Sequence, residues 1–124
     1  MSFTNQEVSI IDDDASVRTA VSSLVRSLGL RARLFASAEE FLAAGAASDL
    51  VVSDVQMPGI SGLELLELLR DRDSVVPFII ITAFPHEGVN GRAVRSGASC
   101  VLSKPFNAGE MIACIERALV RHAG

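Results

Sequence analysis

Two rhythms of apolar and polar positions take turns along this chain. The stretches EVSII (7–11), RARLF (31–35), DLVVSD (49–54), PFIIIT (77–82) and CVLS (100–103) are short, apolar or β-branched runs bounded by polar and turn-forming residues. That is the pattern of strands. Between them, apolar residues recur every three or four positions. Val17, Ala20, Val21, Leu24, Val25 and Leu28 make one stripe, which predicts a helix buried on one face. SAEEFLAAGA predicts a short second helix started by Ser37, and the Leu-rich SGLELLELLRD a third. A fourth covers 87–96 and is ended by Gly97. A fifth, 107–121, places Met111, Cys114, Ile115, Ala118 and Leu119 in the core.

Strands alternating with helices predict an α/β fold, a doubly wound parallel sheet of five strands covered on both faces. Right-handed crossovers leave few topologies. The length suits the flavodoxin-like (βα)5 arrangement with strand order 2-1-3-4-5. Residues 1–124 read as one domain, without repeats or an internal linker.

Composition narrows the function classes. Hydrophobic residues make up 49% of the 124 and charged ones 21%, an ordinary globular balance. The formal net charge is −4 with Lys and Arg scattered, which argues against this segment gripping nucleic acid by itself. Cys100 and Cys114 lie in predicted core segments, and with only His86 and His122 elsewhere they make no zinc pattern. They read as reduced, packed thiols of a cytoplasmic protein. MSFTNQE lacks a leader signature, and no apolar run is long enough to span a bilayer, so no membrane partner is expected.

The polar residues at the strand ends carry the chemistry. In a parallel sheet every strand opens on the same edge. Asp12 and Asp13 sit just past the first strand, Asp54 ends the third, Thr82 ends the fourth and Lys104 follows the fifth. They converge on the crevice where such sheets bind ligands. Each has a plain structural reading: Asp14 caps the first helix, and Asp54 itself could cap the third. The cluster is harder to dismiss. Two unit charges about 4 Å apart repel by about 4 kcal/mol at an effective dielectric near 20. Three carboxylates together need a cation or shifted pKa values. Oxygen ligands on an open edge suit Mg²⁺. A carboxylate beside Mg²⁺, faced by a lysine and a hydroxyl, suits attack on phosphorus to form an acyl phosphate. The stiff turn MPGISG after Asp54 would hold that nucleophile at the edge, and a backbone carbonyl in it can complete the metal shell.

With IIDDD, VVSDVQMPGISG, IIITA and SKPF in that order at strand ends, the chain resembles a response-regulator receiver domain, the CheY-like module of two-component signalling. The likeness runs nearly end to end and is greatest to receivers of transcription regulators. It implies a phosphorelay module accepting a phosphoryl group from a sensor histidine kinase. Asp54 would be the phosphoacceptor, and Asp12 and Asp13 the metal acids. Gln56 would lend its backbone carbonyl to Mg²⁺, which Mn²⁺ can replace. Thr82 would be the switch hydroxyl, Lys104 the phosphate-binding ammonium, and Lys104–Pro105 a cis peptide. The resemblance implies no enzyme beyond Mg²⁺-dependent autophosphorylation from phosphodonors and slow autodephosphorylation.

Two features depart from the family pattern. Val101 stands where the family usually has an aromatic ring that swings as the threonine moves. Phe84, Pro85 and His86 follow Ala83, with Pro85 and Gly88 arguing against a regular start to the fourth helix. The loop from Phe84 to Val89 is therefore expected to carry the switch. Its output would be the surface of the fourth helix, fifth strand and fifth helix, as the contact for a homodimer or an effector. No output domain is visible in this chain, so DNA would be reached only through an effector absent from it. The alternative is a small haloacid-dehalogenase-like phosphatase, whose Asp-x-Asp motif Asp12 and Asp14 would satisfy.

Overall fold

The computed structural model describes residues 6–45 and 47–123, with side chains through Val120. Residues 1–5 and the His122 side chain lie outside the described residues. The elements run β1 (Glu7–Ile11), α1 (Ala15–Ser27), β2 (Arg31–Phe35), α2 (Ala38–Ala44), β3 (Leu50–Asp54), α3 (Gly62–Asp71), β4 (Phe78–Thr82), α4 (Glu87–Arg95), β5 (Cys100–Ser103) and α5 (Ala108–Ala123). All strand pairs are parallel, in the order β2-β1-β3-β4-β5.

β3 and β4 are buried at every position, and β1 at all but its first. Alternation along the strands divides this apolar content between two layers. Val8, Ile10, Leu50, Val52, Ile79 and Ile81 pack with α1 and α5. Ile11, Val51, Phe78 and Ile80 pack with α2, α3 and α4 on the other face. Each such side chain contributes roughly 1.5–3 kcal/mol through burial, so the sheet is a rigid platform for whatever its edge presents.

The helix starts follow local chemistry. Asp14 caps α1 by accepting from the Ser16 N–H, and Ser37 caps α2 by accepting from that of Glu40. Ser61 and Glu64 form a reciprocal capping box on α3. Asp54 is therefore not a helix cap.

Three expectations need correction. α4 begins regularly, because His86 takes an extended conformation and its Nδ1 accepts from the Val89 N–H at 3.3 Å. Pro85 precedes that cap, where its fixed φ and missing N–H do no harm, and Gly88 is tolerated in the first turn. Ala20 is exposed rather than core, since the buried stripe of α1 is centred on Val21 and Val25. Cys100 is only half-buried, because β5 is an edge strand; Cys114 on α5 is buried.

Candidate functional site

Register sets the site. β1 and β3 pair Ile11 with Ser53, so the next residues, Asp12 and Asp54, lie level on neighbouring strands. Asp13 follows at the open edge. One carboxylate oxygen from each of Asp12, Asp13 and Asp54 lies within 4.8 Å of the others. Asp12 and Asp54 are buried and Asp13 is exposed.

Lys104 closes the cluster from the far side of the sheet. β4 pairs Thr82 with Ser103, and the Lys104 N–H donates to the Thr82 carbonyl at 2.8 Å. Its ammonium donates to Asp12 Oδ2 at 3.1 Å and stands 3.4 Å from Asp54 Oδ1. The Lys104–Pro105 peptide is cis. Burial works against the ammonium's charge, but the hydrogen bond to Asp12 and the charges of Asp12 and Asp54 outweigh it and raise its pKa.

Asp54 is the least satisfied group. Asp12 Oδ1 accepts from the Asp14 N–H at 2.9 Å as well as holding Lys104 through Oδ2. Among the described residues Asp54 Oδ1 is buried without a hydrogen-bond partner, and the Lys104 ammonium stands 3.4 Å from it as an ion pair. Burial first, then the neighbouring Asp12 charge, raise its pKa from 3.8 to about 6 against the pull of Lys104, and Asp13 adds to the rise. A buried, unpartnered oxygen facing two more carboxylates is an all-oxygen donor set of net negative charge. It fits a hard divalent cation such as Mg²⁺.

The turn after β3 is fixed by contacts the sequence alone does not reveal. A Cβ on Gly62 would overlap the Asp54 carbonyl oxygen and lie 2.9 Å from its carbonyl carbon. Only glycine lets α3 begin this close behind Asp54. Gly59 has φ +79°, and the Glu39 carboxylate fills the space a side chain there would need while accepting from the Ile60 N–H at 3.0 Å. Neither contact has a local sequence signal, because both partners come from another element or another turn. The Ser61-x-x-Glu64 box does have one.

Thr82 lies one residue beyond Ile81, the register partner of Asp54, and by strand alternation follows Ile80 toward the α3–α4 layer. Its hydroxyl accepts from the Phe84 N–H at 3.0 Å and meets the Gln56 carboxamide, with Nε2 at 3.2 Å and Oε1 at 3.3 Å. Among the described residues it makes no hydrogen bond to Asp54. Gln56 is exposed, Phe84 is 66% exposed, and Val101 is half-buried against the α4 layer. Two devices tie the later part of α4 to α3. Arg92 grips Glu67 through Nε at 2.7 Å and Nη2 at 2.6 Å. Arg70 donates to the carbonyls of Ser96, Ser74 and Gly97.

The response regulator receiver domain family matches residues 8–116. The chain is 40% identical over 118 residues to the transcriptional regulatory protein FixJ of Azorhizobium caulinodans, covering 94% of this chain and 56% of that protein. It is 37% identical over 112 residues to the DNA-binding transcriptional regulator NtrC of Salmonella typhimurium, covering 89% and 24%. The chain thus spans about half the length, or less, of these curated relatives. Among solved structures, the response regulator receiver protein from Burkholderia phymatum superposes with TM-score 0.81 at 38% identity, covering 94% of this chain and 96% of that one. The beryllofluoride-activated DrrB receiver domain superposes with TM-score 0.87 at 28% identity, covering 98% and 100%. The phosphatase alternative finds no support: Asp14 points its carboxylate at its own helix start and stands outside the cluster. Among the described residues no helix is long and apolar enough to cross a membrane.

Proposed function

The chain belongs to the response regulator receiver domain family, and from that premise we propose that its signalling chemistry is phosphorylation of Asp54. The observation that carries this is the buried Asp54 Oδ1, unpartnered beside Asp12 and 3.4 Å from Lys104. In the transfer step an Asp54 oxygen forms a bond to phosphorus. The bond from phosphorus to the donor, a phosphohistidine nitrogen or an acetate oxygen, breaks, and its electron pair leaves with the donor. Asp12, Asp13, Asp54 and the Gln56 backbone carbonyl would hold Mg²⁺, with Mn²⁺ able to replace it. The bound cation supplies charge neutralisation at the phosphoryl oxygens. Lys104 supplies the same from the opposite side through an ammonium already aimed into the cluster. The reaction stops at the acyl phosphate and its slow hydrolysis, so the domain is a switch rather than a turnover enzyme.

The partner for input would be a sensor histidine kinase in the cytoplasm. A mostly apolar groove of about 440 Å³, lined by Ser16, Val17, Ala20, Lys104, Pro105 and Phe106, adjoins Lys104 of the site and would receive such a donor. For output, the Thr82 hydroxyl would turn to donate to the phosphoryl oxygens, leaving the Phe84 N–H without its acceptor. Val101 has no ring to swing, and the later part of α4 is tethered to α3. The segment from Phe84 through the His86 cap into the first turn of α4 is therefore the joint that moves. The exposed Phe84 and Val94, with Val120 on α5, support a protein contact on the α4–β5–α5 face. That contact would be a homodimer, or an effector domain that binds DNA in a longer protein of the FixJ or NtrC kind, 1–124 being the receiver alone. Intact mass with acetyl phosphate is the test. One phosphoryl group should be added only when Mg²⁺ is present, and Asp54→Asn should abolish the addition; undiminished labelling of that variant would sink the assignment.

A further inference from the structure

Beyond phosphoacceptor and metal chemistry, the polar contacts around Thr82 involve the side chain of Gln56. Thr82 is fully buried, yet its one hydroxyl is shared between two groups outside the carboxylate cluster. It accepts from the Phe84 N–H at 3.0 Å, which uses one lone pair. The Gln56 carboxamide covers it with both polar atoms within 3.3 Å. A threonine hydroxyl has a single proton. While that proton is directed at Gln56 Oε1, it cannot be directed at a group on Asp54. We propose that the Gln56 side chain is a latch that holds the Thr82 hydroxyl in its resting orientation, so that its release is a step of activation.

The placement suits a latch rather than a lock. Gln56 is exposed, so its carboxamide can exchange Thr82 for water at little penalty, and one hydrogen bond of this kind is modest in net strength. The backbone of the same residue lies two positions after Asp54, so anything that draws the turn toward Asp54 also displaces the latch. Gln56 is in this sense a positioning residue: it acts through Thr82. The role rests on the phosphorylation reading above, because release matters only if a phosphoryl group, or its mimic, competes for the hydroxyl.

The test is a double-mutant cycle read by beryllofluoride binding in Mg²⁺, followed through the ¹⁵N-resolved amide of Phe84. Gln56→Met keeps the length of the side chain and the backbone carbonyl but removes both polar atoms. Losing a single hydrogen bond from the resting state only should tighten apparent beryllofluoride affinity by about two- to tenfold. The free Phe84 amide should also shift in Gln56→Met toward its position in the beryllofluoride complex. In a Thr82→Val background Gln56→Met should have no further effect, because the latched group is gone. Unchanged or weaker binding in Gln56→Met, or equal tightening with and without the Thr82 hydroxyl, would overturn the latch. Failure of the unsubstituted protein to bind beryllofluoride at all would overturn the phosphorylation reading, and the latch with it.

Discussion

Replacing Asp54 by Asn should stabilise the metal-free protein, with a pH dependence set by a single carboxyl. Asp54 is only 3% exposed, and among the described residues its Oδ1 has no hydrogen-bond partner. Burial and the Asp12 charge raise its pKa from 3.8 to about 6. A folded-state pKa above the unfolded one means that the folded protein holds the proton more tightly. The carboxyl's favourable contribution is then complete below pH 3.8, where both states are protonated. It is lost as pH rises through the window up to about 6, and the loss is complete above that. Two pH units at about 1.4 kcal/mol each make the ionised carboxylate a burden of about 3 kcal/mol near neutral pH, and about half that at pH 5. Asparagine removes the charge and leaves Lys104 paired with Asp12 at 3.1 Å. For a domain of this size the gain corresponds to a Tm rise on the order of 10 °C. Thermal unfolding followed by circular dichroism, in EDTA and at several pH values from 4 to 8, reads it directly. An Asn variant no more stable at neutral pH, or a gain that does not shrink toward pH 4, would refute this account of the site's electrostatics.

Mg²⁺ should raise the melting temperature of the unsubstituted protein by binding linkage, and Asp13→Ala should remove most of that rise while leaving the fold intact; an unchanged metal response in calorimetric melts would place the ion elsewhere. Gly62→Ala puts a methyl group into the Asp54 carbonyl, so it should destabilise by about 1–3 kcal/mol. It should also slow acetyl phosphate labelling even at temperatures where the variant is fully folded, and a normal labelling rate would show that α3 yields instead of Asp54. Phe84→Ala should change stability by less than about 0.5 kcal/mol, as a surface substitution, yet weaken the beryllofluoride-induced NMR shifts along α4. Loss of labelling in the same variant would mean that Phe84 supports the site itself.

The sheet and the carboxylate cluster were legible because both depend on strand identity. Once DLVVSD and EVSII are parallel neighbours, the pairing of Ile11 with Ser53 brings Asp12 and Asp54 together without further information. The plain reading of Asp14 as a cap was equally legible, since an N-cap is a local contact. Contacts between side chains from different turns were not. Nothing in the sequence places Glu39 against Gly59, or the start of α3 behind Asp54. The orientation of Thr82 toward Gln56 and Phe84 is a rotamer choice that the strand pattern does not determine. The start of α4 was misread because Pro85 and Gly88 suggest disruption, while the capping atom is an imidazole nitrogen, Nδ1 of His86, outside the usual Ser, Thr, Asp and Asn set.

The central claim is that Asp54, and no other carboxylate of the cluster, forms the acyl phosphate. Borohydride reduction of protein labelled with acetyl phosphate and Mg²⁺ converts a phosphorylated aspartate to homoserine, which peptide sequencing by mass spectrometry locates. The account predicts homoserine at position 54 alone, and none when Mg²⁺ is withheld. Homoserine at position 12 or 13, or a stable phosphate on a serine or threonine, would contradict it.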